Sequence, residues 1–403
     1  VTNEHPYQAT HPWLTFTTRP YLDRAPGKLW WLLGRTCALI EQLAQTPLRP
    51  QVAHELHMLY MAKGAHATTA IEGNTLTEEQ VRKIIENDLR LRPSKEYLEQ
   101  EVRNVVSGFS GIAQDLAAGH QPEISPDRIR ELNRLVLNNL DVDEDVVPGE
   151  WRTRTVHVGP YLAPPSGALD YLVKRMCDWL TGPELAGPET HQALLRAILA
   201  HLYLEWIHPF GDGNGRTGRL LEFQILLSAG LPTAAVHLFS NHYNQTRSEY
   251  YRQLERASRS GGDYIPFVLY ALQGLLDGLE EQHERLRDDL ERLVWRDLVD
   301  ELLGREQSRS DQRRRALACS LYEVDRSLAL SEIFRALPNM APWYDDKTTK
   351  TLTRDLNALK NHNLLAKQGG RWRARREIVM GLRPGVDLQT EVDDDPGNPT
   401  LDL

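Results

Sequence analysis

Most of the reactive chemistry in this chain is concentrated in residues 208–219, His-Pro-Phe-Gly-Asp-Gly-Asn-Gly-Arg-Thr-Gly-Arg. Gly211, Gly213 and Gly215 alternate with other residues, so the backbone can turn tightly with no Cβ in the way. The amides of Gly213, Asn214 and Gly215 can then converge on one spot at the positive end of a following helix, a cradle for phosphate. Arg216 and Arg219 stand three apart, so they share a helical face and can grip phosphate oxygens. Asp212 lies beside that cradle. A carboxylate next to phosphates is tolerable with a divalent cation between them, and Mg²⁺ is the usual one. His208 titrates near neutrality and stands at the rim, placed to take a proton from an incoming hydroxyl.

Such a loop needs a rigid element on each side. Residues 194–207 and 220–227 are apolar at helical spacing, and Pro209 stops the first run. Further helices are expected at 28–45, 51–71, 76–87, 96–117, 127–140, 169–180, 247–258 and 264–303. Leucine dominates and β-branched runs are rare, so the fold class is mainly α. Residues 148–159 break the pattern. They are rich in Thr and Val, and they run into Pro160 and Pro164-Pro165, which reads as a short β-hairpin. Its exposed edge can accept a peptide as an added strand. His54-Glu55-Leu56-His57 brushes against a zinc-protease pattern, but its histidines are three apart, not four, so they read as surface and core residues.

At every fixed position, residues 208–219 resemble the signature of the Fic family, His-x-Phe-x-Asp/Glu-Gly-Asn-Gly-Arg-x-x-Arg. The resemblance extends over roughly residues 50–270. It implies an all-helical core with a hairpin flap at 148–165, and transfer of AMP from ATP to a protein hydroxyl. In that pattern His208 is the general base and Asp212 the Mg²⁺ ligand. Gly213, Asn214, Gly215, Arg216, Thr217, Gly218 and Arg219 form the nucleotide loop. The flap residues Val156, His157, Val158 and Gly159 complete it, with a target protein docking on the flap. Tyr251 matches a tyrosine that stacks on adenine, although Ser258 stands where some relatives carry Asn. Residues 68–74, Thr-Thr-Ala-Ile-Glu-Gly-Asn, resemble the inhibitory helix (51–74) of members that carry their inhibitor ahead of the core. There Glu72 would pair with Arg219 and push ATP into an unproductive pose, with Thr68 as a local hydrogen-bonding support for Glu72.

The chain has 403 residues, enough for two or three domains, and a net charge of −9, which argues against nucleic-acid binding by the whole protein. Its three cysteines, Cys37, Cys177 and Cys319, are far apart and odd in number, which suits reduced thiols in a cytoplasm. No apolar run approaches a membrane span, and no signal peptide shows. The expected divisions are an N-terminal arm and helix (1–50), the catalytic core (51–304), a second domain (305–384) and an acidic, disordered tail (385–403). Residues 305–376 hold 16 lysines and arginines against 8 acidic residues. Their helix-helix-helix-hairpin order reads as a winged helix-turn-helix, with Lys347, Lys350, Arg354, Arg371 and Arg373 as candidate nucleic-acid contacts. Asp345, Asp346 and Asp355 dilute that helix, and protein docking or a homodimer interface is the other use of such a module. The expected function is a Mg²⁺- and ATP-dependent protein adenylyltransferase restrained by Glu72. Its rivals are a hydrolase that removes AMP, using Glu72 to position water, and a nucleotide-sensing DNA-binding regulator.

Overall fold

The computed structural model describes residues 6–47, 50–159, 161–187, 189–304 and 308–379. The expected tail at 385–403 lies outside the described residues. Two compact units divide the chain, Val1–His283 and Glu284–Leu403.

The first unit is helical, with α1 (Gly27–Gln45), α2 (Pro50–Ala70), α3 (Glu78–Ile85), α4 (Glu96–Ala117), α5 (Pro126–Val136), α6 (Leu169–Leu180), α7 (Thr190–Ile207) and α8 (Asn214–Ser228). It continues with α9 (Thr233–Val236), α10 (Leu238–Gln245), α11 (Arg247–Arg259) and the beginning of α12 (Ile265–Leu303). α7 is apolar and buried on nearly every side, as a central helix must be, and it packs on α8, α6 and α1. α8 is buried as well, yet it carries Arg216, Thr217, Arg219, Glu222 and Gln224 into the interior. Each of those polar groups needs a partner there, so α8 fixes where the polar machinery sits. α2, α4 and α5 surround it, and Tyr243 on α10 donates to Glu222 at 3.1 Å.

Helix ends follow local chemistry. α3 begins at Glu78 because Thr77 and Gln80 form a reciprocal capping box. α5 stops at Val136, short of the expected 140, because Asn104 draws the Val136 and Asn138 carbonyls to its side-chain amide. The expected hairpin forms as two strands of two residues, β1 (His157–Val158) and β2 (Tyr161–Leu162), paired antiparallel with Val158 opposite Tyr161.

The second unit has its own core of Trp295, Leu317, Leu321, Leu352, Leu356 and Trp372, among others. The remainder of α12 opens it, and α13 (Arg309–Tyr322), β3 (Leu328–Ala329), α14 (Ile333–Ala336), α15 (Ala341–Tyr344), α16 (Thr349–Asn361), β4 (Leu365–Gln368) and β5 (Arg371–Ala374) follow. The sheet order is β3-β5-β4, all antiparallel. Gly369 and Gly370 both take positive φ, 56° and 75°, as a two-residue hairpin turn requires. The boundary expected at 304 moves to 283. Trp295 stacks on Tyr322 with ring centroids 4.9 Å apart and donates its indole N–H to the Ala318 carbonyl, so residues 284–303 belong to the second core. Among the described residues no helix is long and apolar enough to cross a membrane.

Candidate functional site

α7 ends at Ile207, and His208 takes a left-handed backbone, φ 47° and ψ 60°. A non-glycine residue in that region is uncommon and marks a position held by its surroundings. The His208 amide donates to the Leu204 carbonyl at 2.8 Å, and Arg152 Nε donates to the His208 carbonyl at 2.8 Å. The imidazole is mostly buried, with Nδ1 4.0 Å from a Glu205 carboxylate oxygen. Burial first, and the Arg152 charge second, push its pKa down to about 4, so the ring is neutral at pH 7 and can accept a proton. The neighbouring Glu205 carboxyl is pushed up to about 8 by burial, aided by the nearby Glu72 charge.

Gly213 caps α8 with φ 77°. The Asn214 side chain folds back onto the loop: its Oδ1 accepts the Phe210 amide and its Nδ2 donates to the Phe210 carbonyl, both at 2.9 Å. Its side chain therefore braces the loop, and the Gly213 amide already donates to Asp212 Oδ1 at 2.5 Å. Asn133 on α5 adds a second brace, donating to the Asp212 carbonyl at 3.0 Å and to Thr217 Oγ1 at 3.2 Å. Thr217 is buried and donates to the Gly213 carbonyl at 2.7 Å. A Cβ on Gly218 would lie 3.0 Å from His201 Nδ1 and 3.3 Å from Glu205 Oε1. Of these two expected nucleotide contacts, Thr217 turns its side chain inward to Asn133 on α5, and Gly218 allows α8 to seat closely against α7.

Both arginines of the loop are buried and both already hold carboxylates. Arg216 bonds Glu101 Oε1 at 2.9 Å and the two Asp212 carboxylate oxygens at 3.2 and 3.3 Å. Arg219, 1 % exposed, donates through Nη2 to Glu72 Oε1 at 2.5 Å and to the Thr68 carbonyl at 2.9 Å. Its Nε and Nη1 have no partner among the described residues. Burial opposes the charges on both members of the pair. Even so, the mutual attraction raises the Arg219 pKa and lowers that of Glu72. A Cβ on Gly215 would come within 2.1 Å of Glu72 Oε1. The Glu72 carboxylate therefore rests against the first turn of α8, where the helix N-terminus favours an anion.

The expected role of Thr68 needs correction. Its hydroxyl is buried with no partner among the described residues and does not bond Glu72. The Glu72 amide turns to the Thr69 carbonyl at 3.0 Å as α2 ends, and Gly73 follows with φ 103°. That releases the Thr68 carbonyl from its helical partner, and Arg219 takes it.

A cavity of about 600 Å³ is lined by Val158, Gly159, Tyr161, Glu205, Tyr251 and Ser258, among others. Of the two adjacent tyrosines, Tyr250 is buried against His201 at 2.9 Å. Tyr251 faces the cavity, and its hydroxyl donates to the Ile71 carbonyl at 3.1 Å. Val156 ties the hairpin base by accepting the Ala163 amide at 3.1 Å, and His157 is exposed. Asp212 presents a half-exposed carboxylate at the loop. Among the described residues no cluster of three or more His, Cys, Asp or Glu side chains could hold a metal ion. Of the site's carboxylates, Glu72 and Glu101 are turned to Arg219 and Arg216, and Asp212 is the one at the loop surface. Arg152, Asn133, Glu101 and Glu205 were not singled out from sequence; only the Trp151-Arg152 pair, inside the alternating stretch, offered a visible signal.

Residues 123–226 match the family model described as Fic/DOC family. Protein adenylyltransferase fic-1 of Caenorhabditis elegans is 36% identical over 227 residues, 56% of this chain and 41% of that protein. Protein adenylyltransferase Fic of Drosophila melanogaster is 34% identical over 203 residues, 50% of this chain and 38% of that protein. The chain spans about two fifths of the length of these curated relatives. Two solved structures are similar. A Fic family protein from Desulfovibrio desulfuricans G20 has a TM-score of 0.54 at 22% identity, covering 87% of this chain and 96% of that one, a likeness of fold. Fic-1 of Caenorhabditis elegans has a TM-score of 0.53 at 28% identity, covering 65% of this chain and 73% of that one.

Proposed function

Because residues 123–226 carry a domain of the Fic/DOC family, we propose that this chain is a protein adenylyltransferase, moving AMP from ATP to a Ser, Thr or Tyr hydroxyl of a target protein or of itself. The observation that carries the reading is the neutral, buried His208 set beside an α8 first turn that already holds an anion, the Glu72 carboxylate. With ATP in place, the amides of residues 213–215 hold its inner phosphates, and Arg216 and Arg219 hold the outer ones. His208 removes the proton of the acceptor hydroxyl. The oxygen attacks the α-phosphorus in line, the bond to the β-phosphate bridging oxygen breaks, and pyrophosphate leaves. Positioning and charge stabilisation supply most of the rate. Asp212 would hold the Mg²⁺ of MgATP, which neutralises the phosphate charge. The base enters the cavity against Tyr251, and the target adds along the β1–β2 flap. The three free thiols suit a reducing compartment such as the cytoplasm.

Glu72 restrains this activity by occupying the guanidinium meant for the γ-phosphate, since both ligands present oxygens to the same fork. A second reading rests on the same carboxylate. Glu72 acts electrostatically on both Arg219 and His208. It could hold a water there and remove AMP from a modified target. The test uses ATP labelled at the α- or the γ-phosphate, with the Glu72→Gly variant and candidate target proteins. Protein labelling from the α-position alone supports transfer of AMP. Labelling from the γ-position, or none with either, counts against it. Loss of AMP removal in Glu72→Gly, without gained transfer, would favour the hydrolase.

A further inference from the structure

Arg152 is 5 % exposed, and no carboxylate pairs with it among the described residues. Its guanidinium donates instead to backbone carbonyls: Nε to His208 at 2.8 Å, Nη1 to Arg154 at 2.7 Å, and Nη2 to Pro164 at 2.7 Å and Ile207 at 3.5 Å. Its amide donates to the Pro209 carbonyl at 2.9 Å. Arg154 precedes β1 and Pro164 follows β2, so these are the two legs of the flap. Ile207 and His208 are the end of α7. One side chain therefore joins both legs of the flap to the turn that carries His208.

A buried cation without a carboxylate is costly, and burial pushes the Arg152 pKa down to about 10. The carbonyl end of α7 offsets part of that cost, because partial negative charge collects there. The flap needs such a tie, since a lone pair of two-residue strands has little stability of its own. Tyr161, donating to the Trp206 carbonyl at 2.7 Å, and His11, bonded to the Leu162 carbonyl at 2.8 Å, hold the strands. Arg152 alone among these three reaches both legs and the His208 carbonyl.

We propose that Arg152 is a positioning residue that locks the flap to the His208 turn in a single register, so that a peptide added to the flap edge presents its hydroxyl at the imidazole. The delivery of a hydroxyl rests on the adenylyltransferase reading; the lock itself does not. Only a planar fork with five donors can serve these carbonyls together, so lysine keeps the charge and loses the lock.

The test places Arg152→Met and Arg152→Lys on the Glu72→Gly chain and uses two readouts. In backbone hydrogen exchange, residues 153–163 and 207–209 should exchange about tenfold faster in both variants, with the middle of α7 and α4 unchanged. In kinetics, KM for the acceptor protein should rise about tenfold and by more than KM for ATP, whose cavity the flap only partly lines. Unchanged flap exchange, or full recovery by lysine, overturns the proposal. So does a rise in exchange spread through the core with both KM values rising together, because that is general loosening. If Glu72→Gly transfers no AMP, the adenylyltransferase reading fails, and the exchange data still decide the lock. Faster exchange confined to the flap and His208 turn supports it, and unchanged exchange refutes it.

Discussion

Two regions of this chain gather positive charge, and they handle it in opposite ways. At the start of α8, Arg216 and Arg219 are buried and each holds a carboxylate. In the second unit, α16 carries Lys350 and Arg354 on its solvent face. An exposed cation is satisfied by water, whereas a buried one must be met by an anion or by dipoles. At Arg219 that anion is Glu72, and on the proposed reading it holds the place of an ATP phosphate. The second unit shows the reverse use of charge. Asp355, expected to dilute the exposed helix, is fully buried and bonds Arg313 at 2.7 Å, Arg314 at 3.0 Å and the Tyr344 hydroxyl at 3.1 Å. Arg371 and Arg373, expected to reach nucleic acid, pair with Glu332 and Glu377. Its net positive count is thus partly structural.

The comparison can be broken most severely at His208. If the neutral imidazole is the base, His208→Ala should lower AMP transfer by about 10²–10⁴-fold with ATP binding and thermal unfolding nearly unchanged. Transfer at the wild-type rate would return His208 to the core. Next comes Asp355→Ala, which leaves buried Arg313 without its anion. It should destabilise the second unit by about 3–5 kcal/mol, read by denaturant unfolding, while AMP transfer by the first unit persists. Loss of transfer would show that the two regions do not act separately.

A smaller effect comes from pH. Burial raises the Glu205 and Glu222 carboxyls to about 8 from an ordinary 4.5, so between those values the folded chain holds the extra protons and stability falls as pH rises. Burial lowers His201, His208 and His237 to about 3, 4 and 3 from an ordinary 6.5, so below pH 6.5 stability falls as pH drops. Above pH 6.5 the carboxyls act alone. Tm should decline from pH 6.5 to 8, and Glu205→Gln should flatten that decline by roughly 2–4 °C. A parallel decline in the variant would exclude Glu205 as a source. The smallest effect is expected on α16: Lys350→Ala with Arg354→Ala should leave AMP transfer unchanged. If the double variant also retains any salt-dependent binding to duplex DNA, that face is not a nucleic-acid contact.

The loop was legible in the sequence because its residues are local: a histidine, a carboxylate, glycines and arginines fall within twelve residues. The alternation at 148–159 pointed to a hairpin, but only His157–Val158 of it is strand, and the second strand, Tyr161–Leu162, lies beyond it. What the sequence concealed depends on distant partners. Glu101 meets Arg216 across 115 positions, and Asn133 meets the Asp212 carbonyl across 79, so no spacing rule finds them. Thr68 was misread because its side chain drew attention, whereas its contribution is a backbone carbonyl freed where α2 ends. The boundary at 283 was hidden because the helical pattern of α12 runs through it without interruption, and only packing shows that Trp295 has changed cores.

The claim that Glu72 stands in for a phosphate on Arg219 is tested most directly by one cycle of variants: wild type, Glu72→Gly, Arg219→Ala and the double variant. The measurement is AMP transfer from α-labelled ATP at saturating target. Contacting residues couple by about 0.5–3 kcal/mol, so the two changes should be non-additive. Glu72→Gly should raise transfer on the order of tenfold or more, and adding Arg219→Ala should cancel the gain. A Glu72→Gly chain no more active than wild type, or a gain that survives the loss of Arg219, would contradict the account.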